Sequence, residues 1–361
     1  MGKSPRDLVR PEVLAMRAYH VAPAQGMVKL DAMENPYRLP AELSAALGER
    51  LAAVAINRYP DAELPGLKRA LREAMGIPAA LAIVLGNGSD EIIQIVSLAL
   101  ARPGAVVLAP EPSFVMYRVS AAAAGMRYEG VALRPDFSLD SDRLLEAIRA
   151  HRPALTWLAY PNNPTGNLFP REAILEVVRA SPGLVVVDEA YYAFSGGATL
   201  MDEVAAHPNL LLVRTVSKLG LAGLRLGLAA GAPEWIAELE KLRPPYNVNV
   251  LTAAAAELVL AHRGVLEAQT QAILAERARL ESALDAMPGV RRFPSAANFV
   301  LARFPDAPST FGALGERGIL VRNLHGSHPL LAHCLRLTVG TADENAKLIE
   351  TLASVIESCP R

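Results

Sequence analysis

Cysteine is scarce in this chain of 361 residues, which contains only Cys334 and Cys359. Two cysteines cannot form the dense disulfide framework of a small secreted domain, so we expect a reducing compartment, the cytoplasm. Neither has histidine or cysteine neighbours at zinc-finger spacing, and His325, His328 and His333 match no ligand template. We therefore expect no metal site.

The chain also lacks a strong charge and a long apolar run. Its formal net charge is −1, which provides no basic surface for nucleic acid. No apolar run is long enough to cross a membrane. Residues Met1–Asp7 are charged and lead into no apolar segment, so we expect no signal peptide. Nucleic acid and membrane are not the expected partners.

Hydrophobic residues, in contrast, make up 52% of the sequence, and the length predicts two domains or one large domain with an appendage. From Leu81 onward, apolar runs of strand length alternate with amphipathic helical segments, and runs such as Leu184–Val187 are apolar on both faces. This alternation predicts an α/β fold with a doubly wound, mostly parallel sheet. We predict strands at 82–85, 105–109, 154–160, 184–188, 210–215 and 224–230, and helices at 90–101, 114–124, 140–151 and 170–180.

The two ends of the chain depart from this rhythm. We expect residues 1–45 to form an arm that belongs partly to a small domain, and 46–250 to form the large α/β domain. Residues 251–361 should form a long spine helix, at 252–287, and a smaller α+β domain. For that domain we predict strands at 298–303, 319–322 and 335–339 and helices at 309–317 and 343–357.

The stretch Ser217–Gly227 carries the most informative polar residues. It follows the apolar run Leu210–Val213, which reads as a buried strand. Lys218 at the end of such a strand could form a Schiff base with an aldehyde, while Ser217 and Arg225 hold a phosphate on the same molecule. Pyridoxal phosphate has both groups. The alternative is a solvated lysine and arginine near a glycine-rich turn.

Two other predicted strands also end in suggestive motifs. In Gly86–Glu91, glycines let the backbone approach a ligand, and the free amides at Ser89 and Asp90 favour an anion; either residue could instead be a plain N-cap. In Glu111–Tyr117, Phe114 could stack on a planar ring or belong to the core. Since ligands bind at the carboxyl ends of strands in such sheets, these motifs would meet.

Three more positions carry polar groups where burial is expected. The turn Tyr160–Gly166 presents asparagine side chains in a fixed direction, unless it is an ordinary loop. Asp188 ends an apolar strand, where a carboxylate needs a partner such as a protonated pyridine nitrogen, or serves as an N-cap. Tyr191 could donate to a phenolate oxygen. Arg336 interrupts an apolar strand and should bind a carboxylate or phosphate.

In this order, the motifs resemble those of the fold-type-I pyridoxal-phosphate-dependent aminotransferases over nearly the whole chain. They are Gly86–Glu91, Pro161–Gly166, Asp188–Tyr191, Ser217–Lys218 and Leu335–Gly340. Within that family the sequence is most similar to the histidinol-phosphate aminotransferases. The pointers to this group are Arg58–Asp61, Met33–Pro36, Pro245–Asn249 and the Leu335–Gly340 strand.

The resemblance implies a large PLP-binding domain, a smaller α+β domain and a role for each matching residue. Lys218 would carry the cofactor and move the proton, and Asp188 would pair with the pyridine nitrogen. Asn163 and Tyr191 would hydrogen-bond the phenolate oxygen, and Phe114 would stack on the ring. Lys218, Asp188 and Tyr191 are thus the expected catalytic residues.

The resemblance also implies how the phosphate of the cofactor is held. Ser89, Asp90, Ser217 and Arg225 would bind it within one subunit. Tyr59 would reach it from the neighbouring subunit, so that the two active sites of a homodimer are shared.

For the substrates, the resemblance implies that Arg336 binds the carboxylate of glutamate or 2-oxoglutarate. Arg322, Tyr19 and Asn163 are further candidates for substrate contacts. The implied reaction is transamination between L-histidinol phosphate and 2-oxoglutarate in histidine biosynthesis. The alternatives are an aromatic-amino-acid aminotransferase, a threonine-phosphate decarboxylase, or a regulator that binds the cofactor without catalysis.

Three positions depart from the common pattern of the family. The spacing from Lys218 to Arg225 is one residue shorter than usual. Phe114 stands where many relatives have tyrosine, which removes a hydroxyl but keeps the stacking surface. Met33 stands where asparagine is common.

Overall fold

The computed structural model describes residues 4–18 and 22–358. Its strands are β1 Val28–Leu30, β2 Ala82–Asn87, β3 Val106–Glu111, β4 Arg127–Ala132, β5 Leu155–Ala159, β6 Leu184–Asp188, β7 Leu210–Thr215, β8 Leu226–Gly231, β9 Arg291–Arg292, β10 Phe299–Arg303, β11 Ile319–Asn323 and β12 Cys334–Thr338. Its α-helices are α1 Pro5–Leu8, α2 Pro11–Leu14, α3 Ala41–Ala52, α4 Pro65–Met75, α5 Ser89–Leu100, α6 Met116–Ala123, α7 Ser141–His151, α8 Arg171–Ala180, α9 Pro233–Glu240, α10 Val250–Ala261, α11 Arg263–Asp285, α12 Ala307–Glu316 and α13 Ala342–Ser358. None of these helices is long and apolar enough to cross a membrane.

The larger sheet has seven strands in the order β2-β8-β7-β6-β5-β3-β4. The five adjacent strands β7-β6-β5-β3-β4 pair in parallel, whereas β8 runs antiparallel to both of its neighbours. The prediction of a mostly parallel, doubly wound sheet is therefore confirmed.

Both faces of this sheet are buried, as the apolar runs predict. Along β6, Val185 and Val187 pack into one hydrophobic cluster and Val186 packs into another. This alternation is the two-residue period of a strand, with helices covering each face.

The smaller sheet has five strands in the order β1-β11-β12-β10-β9. Strand β1 near the N-terminus pairs in parallel with β11, and the other pairs are antiparallel. Leu30 of β1 shares a hydrophobic cluster with Val321 of β11 and Leu352 of α13. The arm thus contributes a strand to a sheet formed otherwise by the C-terminal part of the chain.

Several elements differ from the sequence predictions, among them α9, which was not predicted. Strand β4 was not predicted, because it is an edge strand with Gly130 and several half-exposed polar residues instead of an apolar run. The short β9 was also missed. The predicted helix at 252–287 is two helices, because His262 leaves the helical conformation at φ −106° and ψ 33° between α10 and α11.

Candidate active site

The carboxyl ends of β5, β6 and β7 open into a cavity of about 550 Å³. This is the edge of a parallel sheet where ligands are expected. Every predicted cofactor-binding residue except Tyr59 lines the cavity, namely Ser89, Asp90, Phe114, Asn163, Asp188, Tyr191, Ser217, Lys218 and Arg225. Residues separated by more than one hundred positions are therefore brought together by the sheet.

Lys218 lies in a 3-10 turn that directly follows β7. Its Nζ donates to the carbonyl of Ala32 at 3.2 Å and lies 5.8 Å from the centre of the Tyr191 ring. Burial, reinforced by the charge of Arg336, lowers the pKa of Lys218 to about 8. A substantial fraction of the amine is then neutral at mildly alkaline pH, which is the form that attacks a carbonyl.

Asp188 is the last residue of β6 and is only 5% exposed. Its Oδ2 accepts from the hydroxyl of Tyr117 at 2.8 Å, and its Oδ1 accepts from the backbone N–H of Ala190 at 3.0 Å. Burial raises the pKa of Asp188 to about 6, although both hydrogen bonds favour the charged form. Both donors are neutral, so this carboxylate is well placed to receive a cation from the cavity.

The start of α5 supplies a cradle for an anion. Gly88 precedes the helix and provides no side-chain cap, so the amides of the first turn are available. A Cβ at Gly88 would lie 2.5 Å from Nη2 of Arg225, and a Cβ at Gly227 would lie 2.4 Å from the amide nitrogen of Ser89. Glycine at both positions allows the arginine and the neighbouring strand to approach the helix start.

Arg225 and Ser217 approach this cradle from the turns after β7. Arg225 Nη2 lies 3.1 Å from Oδ2 of Asp90, and the hydroxyls of Thr215 and Ser217 are hydrogen-bonded at 2.8 Å. The shorter spacing from Lys218 is accommodated by a 3-10 turn at Ala222–Leu224, after which Arg225 adopts a left-handed φ of 48°.

Arg336 lies beside the cavity, in β12 of the smaller sheet. It is 7% exposed, and it donates to Asn163 Oδ1 at 2.6 Å and to the carbonyl of Asp31 at 2.7 Å. Arg322 of β11 is its direct partner across the antiparallel pair. Two arginines opposite each other repel, and a bound anion would relieve that repulsion.

Among the described residues, Arg322, Arg336 and Tyr59 were predicted for the site but do not line this cavity. Tyr59 is 80% exposed and stacks on Tyr246, with ring centres 4.5 Å apart. It makes no part of the cavity wall in its own chain. Tyr19 lies outside the described residues.

The sequence interpretation missed Tyr117, which lines the cavity and contacts Asp188. It lies three positions after Phe114 in the same motif. This helical spacing from a predicted cofactor-binding residue was the available signal. The carbonyls of Asp31 and Ala32 were also missed. Backbone acceptors leave no trace in the residue types.

This set of groups fits pyridoxal phosphate. The cavity offers an amine for the aldehyde, a cradle of amides with Ser217 and Arg225 for the phosphate, and a buried carboxylate for the ring nitrogen. Within residues 4–18 and 22–358, no group of three or more His, Cys, Asp or Glu side chains is placed to hold a metal ion.

The sequence is similar to known proteins over nearly its whole length. The family described as aminotransferase class I and II matches residues 25–352. The histidinol-phosphate aminotransferase of Chromobacterium violaceum is 57% identical over 347 residues, which are 96% of this chain and 97% of that protein. Histidinol-phosphate aminotransferase 1 of Ralstonia nicotianae is 54% identical over 98% of this chain and 96% of its own length.

Solved structures show the same architecture. The histidinol-phosphate aminotransferase of Sinorhizobium meliloti, in complex with pyridoxal-5'-phosphate, has a TM-score of 0.87 and 27% identity, and 98% of each chain is covered. The corresponding enzyme of Clostridium acetobutylicum has a TM-score of 0.84 at 23% identity, covering 92% of this chain and 100% of that chain; it supports the fold alone. This chain belongs to the class I and II aminotransferase family.

Proposed function

We propose that this protein transfers an amino group between L-histidinol phosphate and 2-oxoglutarate, giving imidazole acetol phosphate and glutamate, with pyridoxal phosphate as cofactor. The reaction is a step of histidine biosynthesis. The observation that carries the proposal is identity above 50% over almost the full length of proteins with that activity in their names. The cavity described above supplies the chemical groups.

When bound, the cofactor supplies an aldehyde and a ring that withdraws electrons from the carbon bearing the amine. We propose that Lys218 Nζ would hold the cofactor through its aldehyde and would be the base that moves the proton of the amine-bearing carbon of the substrate. Its pKa of about 8 suits this task, because the amine can both accept and release a proton near neutral pH.

Asp188 and its neighbours act on the ring. Asp188 would pair with the protonated pyridine nitrogen, which would maintain the ring as an electron acceptor. Asn163 and Tyr191 would donate to the phenolate oxygen, and Phe114 would stack on the ring. The Oδ1 of Asn163 accepts a hydrogen bond from Arg336 at 2.6 Å, so the amide NH₂ is left to donate into the cavity.

The arginines of the smaller sheet explain how one site accepts two dissimilar substrates. Glutamate brings an α-carboxylate, whereas histidinol phosphate brings a phosphate on the neighbouring carbon. A guanidinium matches carboxylate and phosphate equally well, so Arg336 can serve both, with Arg322 as a second contact. Tyr19, beyond the described residues, remains our candidate for the imidazole.

We also propose a cytoplasmic homodimer with shared active sites, in which Tyr59 reaches the phosphate cradle of the other subunit. Its 80% exposure and its stacking on Tyr246 support this role, since an aromatic pair on the surface is suited to a partner. We further propose that the chain is divided into an arm at 1–45, a large domain at 46–250 and a small domain at 251–361.

The test is a comparison of amino donors with 2-oxoglutarate as the acceptor. We expect kcat/KM for histidinol phosphate to exceed that for phenylalanine by at least about tenfold, or 1.4 kcal/mol of barrier, and threonine phosphate to undergo no decarboxylation. Lys218→Ala is the control and should abolish both turnover and the visible absorbance of the bound cofactor. If phenylalanine is preferred tenfold, or if threonine phosphate loses carbon dioxide, the substrate assignment is wrong although the cofactor assignment stands.

A further inference from the structure

The phenol of Tyr117 is a buried group to which the proposed mechanism gives no task. Tyr117 lies in α6, is 0% exposed, and donates from its hydroxyl to Oδ2 of Asp188 at 2.8 Å. Its ring stacks on Trp157 with centres 4.8 Å apart and planes inclined by 4°, and it meets Phe114 edge to face at 5.6 Å. The stacking on Trp157 and the contact with Phe114 therefore constrain the ring and the direction of its hydroxyl.

The proton of this hydrogen bond belongs to the phenol. Burial, followed by the negative charge of Asp188, raises the pKa of Tyr117 well above its usual value. Tyr117 is therefore the donor in this bond near neutral pH, and Asp188 is the group that titrates there. A donor aimed at a carboxylate stabilises its charged form.

The bond matters because burial and two neighbouring carboxylates oppose the charge of Asp188. Burial, with smaller contributions from Asp90 of α5 and the adjacent Glu189, raises the pKa of Asp188 to about 6 in spite of its hydrogen bonds. Lys218 also faces this cavity. The opposing donors are the Tyr117 hydroxyl and the Ala190 amide. They bind different oxygens, so together they also fix the rotation of the carboxylate.

We propose that Tyr117 is a positioning residue that keeps Asp188 ionised and oriented toward the ring nitrogen of the cofactor. The proposal rests on the function proposed above only in assigning that nitrogen as the partner of Asp188. The bond between Tyr117 and Asp188 exists without any ligand, so it can be tested on the apoprotein. Tyr117→Phe is the suitable change, because it removes the hydroxyl and retains the ring between Trp157 and Phe114.

The sign of the effect on stability follows from the two pKa values of Asp188. Its pKa in the folded protein, about 6, lies above its ordinary value of 3.8. The protonated carboxyl therefore favours folding below the unfolded pKa, and this contribution is lost as the pH rises through the folded pKa. Without the phenol the folded pKa rises further, so the loss is larger and extends to higher pH.

The first measurement is the thermal unfolding midpoint of the apoprotein between pH 5 and pH 8. We expect Tyr117→Phe to be close to wild type at pH 5 and increasingly less stable toward pH 8. In an Asp188→Asn background, where no carboxylate titrates, the growth of this difference with pH should vanish. Tyr128→Phe, a change at a tyrosine outside the cavity, is the matched control and should leave the slope with pH unchanged.

The second measurement is the affinity for pyridoxal phosphate, read from the quenching of protein fluorescence. Because the cofactor pairs with ionised Asp188, its affinity should fall as Asp188 becomes protonated. The pH at which affinity is half lost should rise by about one unit in Tyr117→Phe, in line with the loss of one hydrogen bond to a charged group. At saturating cofactor, the activity that was lost through weaker cofactor binding should return. The kcat of the variant should still be lower than that of the wild type.

Two outcomes would overturn the role of Tyr117. One is that the apoprotein of Tyr117→Phe shows the same dependence of stability on pH as wild type. The other is that the pH-dependent difference persists in the Asp188→Asn background, which would mean that the phenol acts on another group. A protein that binds no pyridoxal phosphate would contradict the proposed function instead, and the apoprotein result would still stand or fall by itself.

Discussion

Asp188 and Lys218 face the same cavity, and burial shifts their pKa values toward each other. The pKa of Asp188 rises to about 6 and that of Lys218 falls to about 8. In water each group would be fully charged near neutral pH. In the cavity the pKa of each group lies closer to neutral pH, and neither group forms a salt bridge within residues 4–18 and 22–358. Perturbed groups of this kind cluster at functional sites because ligands complete their pairing.

Replacing Asp188 with asparagine tests the charge of this residue separately from its shape. Asparagine has nearly the same size, but it cannot hold a proton on the ring nitrogen. We expect kcat to fall by several orders of magnitude, because a buried charge-assisted pair is lost. Single-turnover kinetics at saturating cofactor would measure it. A loss smaller than about tenfold, or 1.4 kcal/mol, would mean that Asp188 does not face the ring.

At the scale of elements, the end of β6 carries two consecutive acidic residues with different surroundings. Asp188 points into the cavity, and the next residue, Glu189, forms an ion pair with Arg214 of β7 at 2.6 Å, where the two side chains are 0% and 3% exposed. Thr199 and the amide of Leu200 also donate to this carboxylate. The pair ties the ends of two adjacent strands together, and these ends position Asp188 and Lys218.

Removing one member of this pair should destabilise the protein strongly. Arg214→Ala leaves Glu189 buried without its counter-charge, which typically costs about 3–5 kcal/mol. Urea unfolding of the apoprotein would measure the loss. The double variant Arg214→Met with Glu189→Leu should recover most of it, since a buried ion pair is often replaced by apolar residues without loss. Equal destabilisation in the single and double variants would show that packing, and not charge, is responsible.

At the scale of the whole molecule, an exposed apolar surface lies apart from the cavity. Tyr59 and Tyr246 stack on each other, at 80% and 42% exposure, and Ile56 and Leu251, from the same two segments, are 75% and 41% exposed. Exposed aromatic and aliphatic side chains in one area are typical of interfaces. This supports the proposal that a second copy of the chain covers them.

Hybrid dimers test whether the active sites are shared. Lys218→Ala subunits and Tyr59→Ala subunits should each be poorly active by themselves. After subunit exchange in an equal mixture, half of the dimers are hybrids with one intact site, so we expect about a quarter of wild-type activity in a two-fold symmetric dimer. Mixing without exchange is the control. No recovery after exchange would mean that Tyr59 acts in the active site of its own chain or that the protein is a monomer.

The fold class and the order of the motifs follow from the sequence alone. Apolar runs such as Leu184–Val187 have a strand's length and no polar face, so burial on both sides is the stable arrangement. Residues placed at the ends of such runs, among them Asp188 and Lys218, then had to meet at one edge of the sheet. Local pattern was enough because neighbouring parallel strands align their carboxyl ends.

Other features depend on contacts between residues far apart in the chain, and they are visible only in the tertiary structure. The edge strand β4 has a weak pattern and exists because β3 pairs with it. Tyr117 reads as an ordinary core aromatic until α6 brings its hydroxyl within 2.8 Å of Asp188. The pKa values of Asp188 and Lys218 are likewise set by burial and by neighbours far along the chain. Residue types state which groups are present, but solvent exclusion and hydrogen-bond geometry arise only when the folded chain places those groups together.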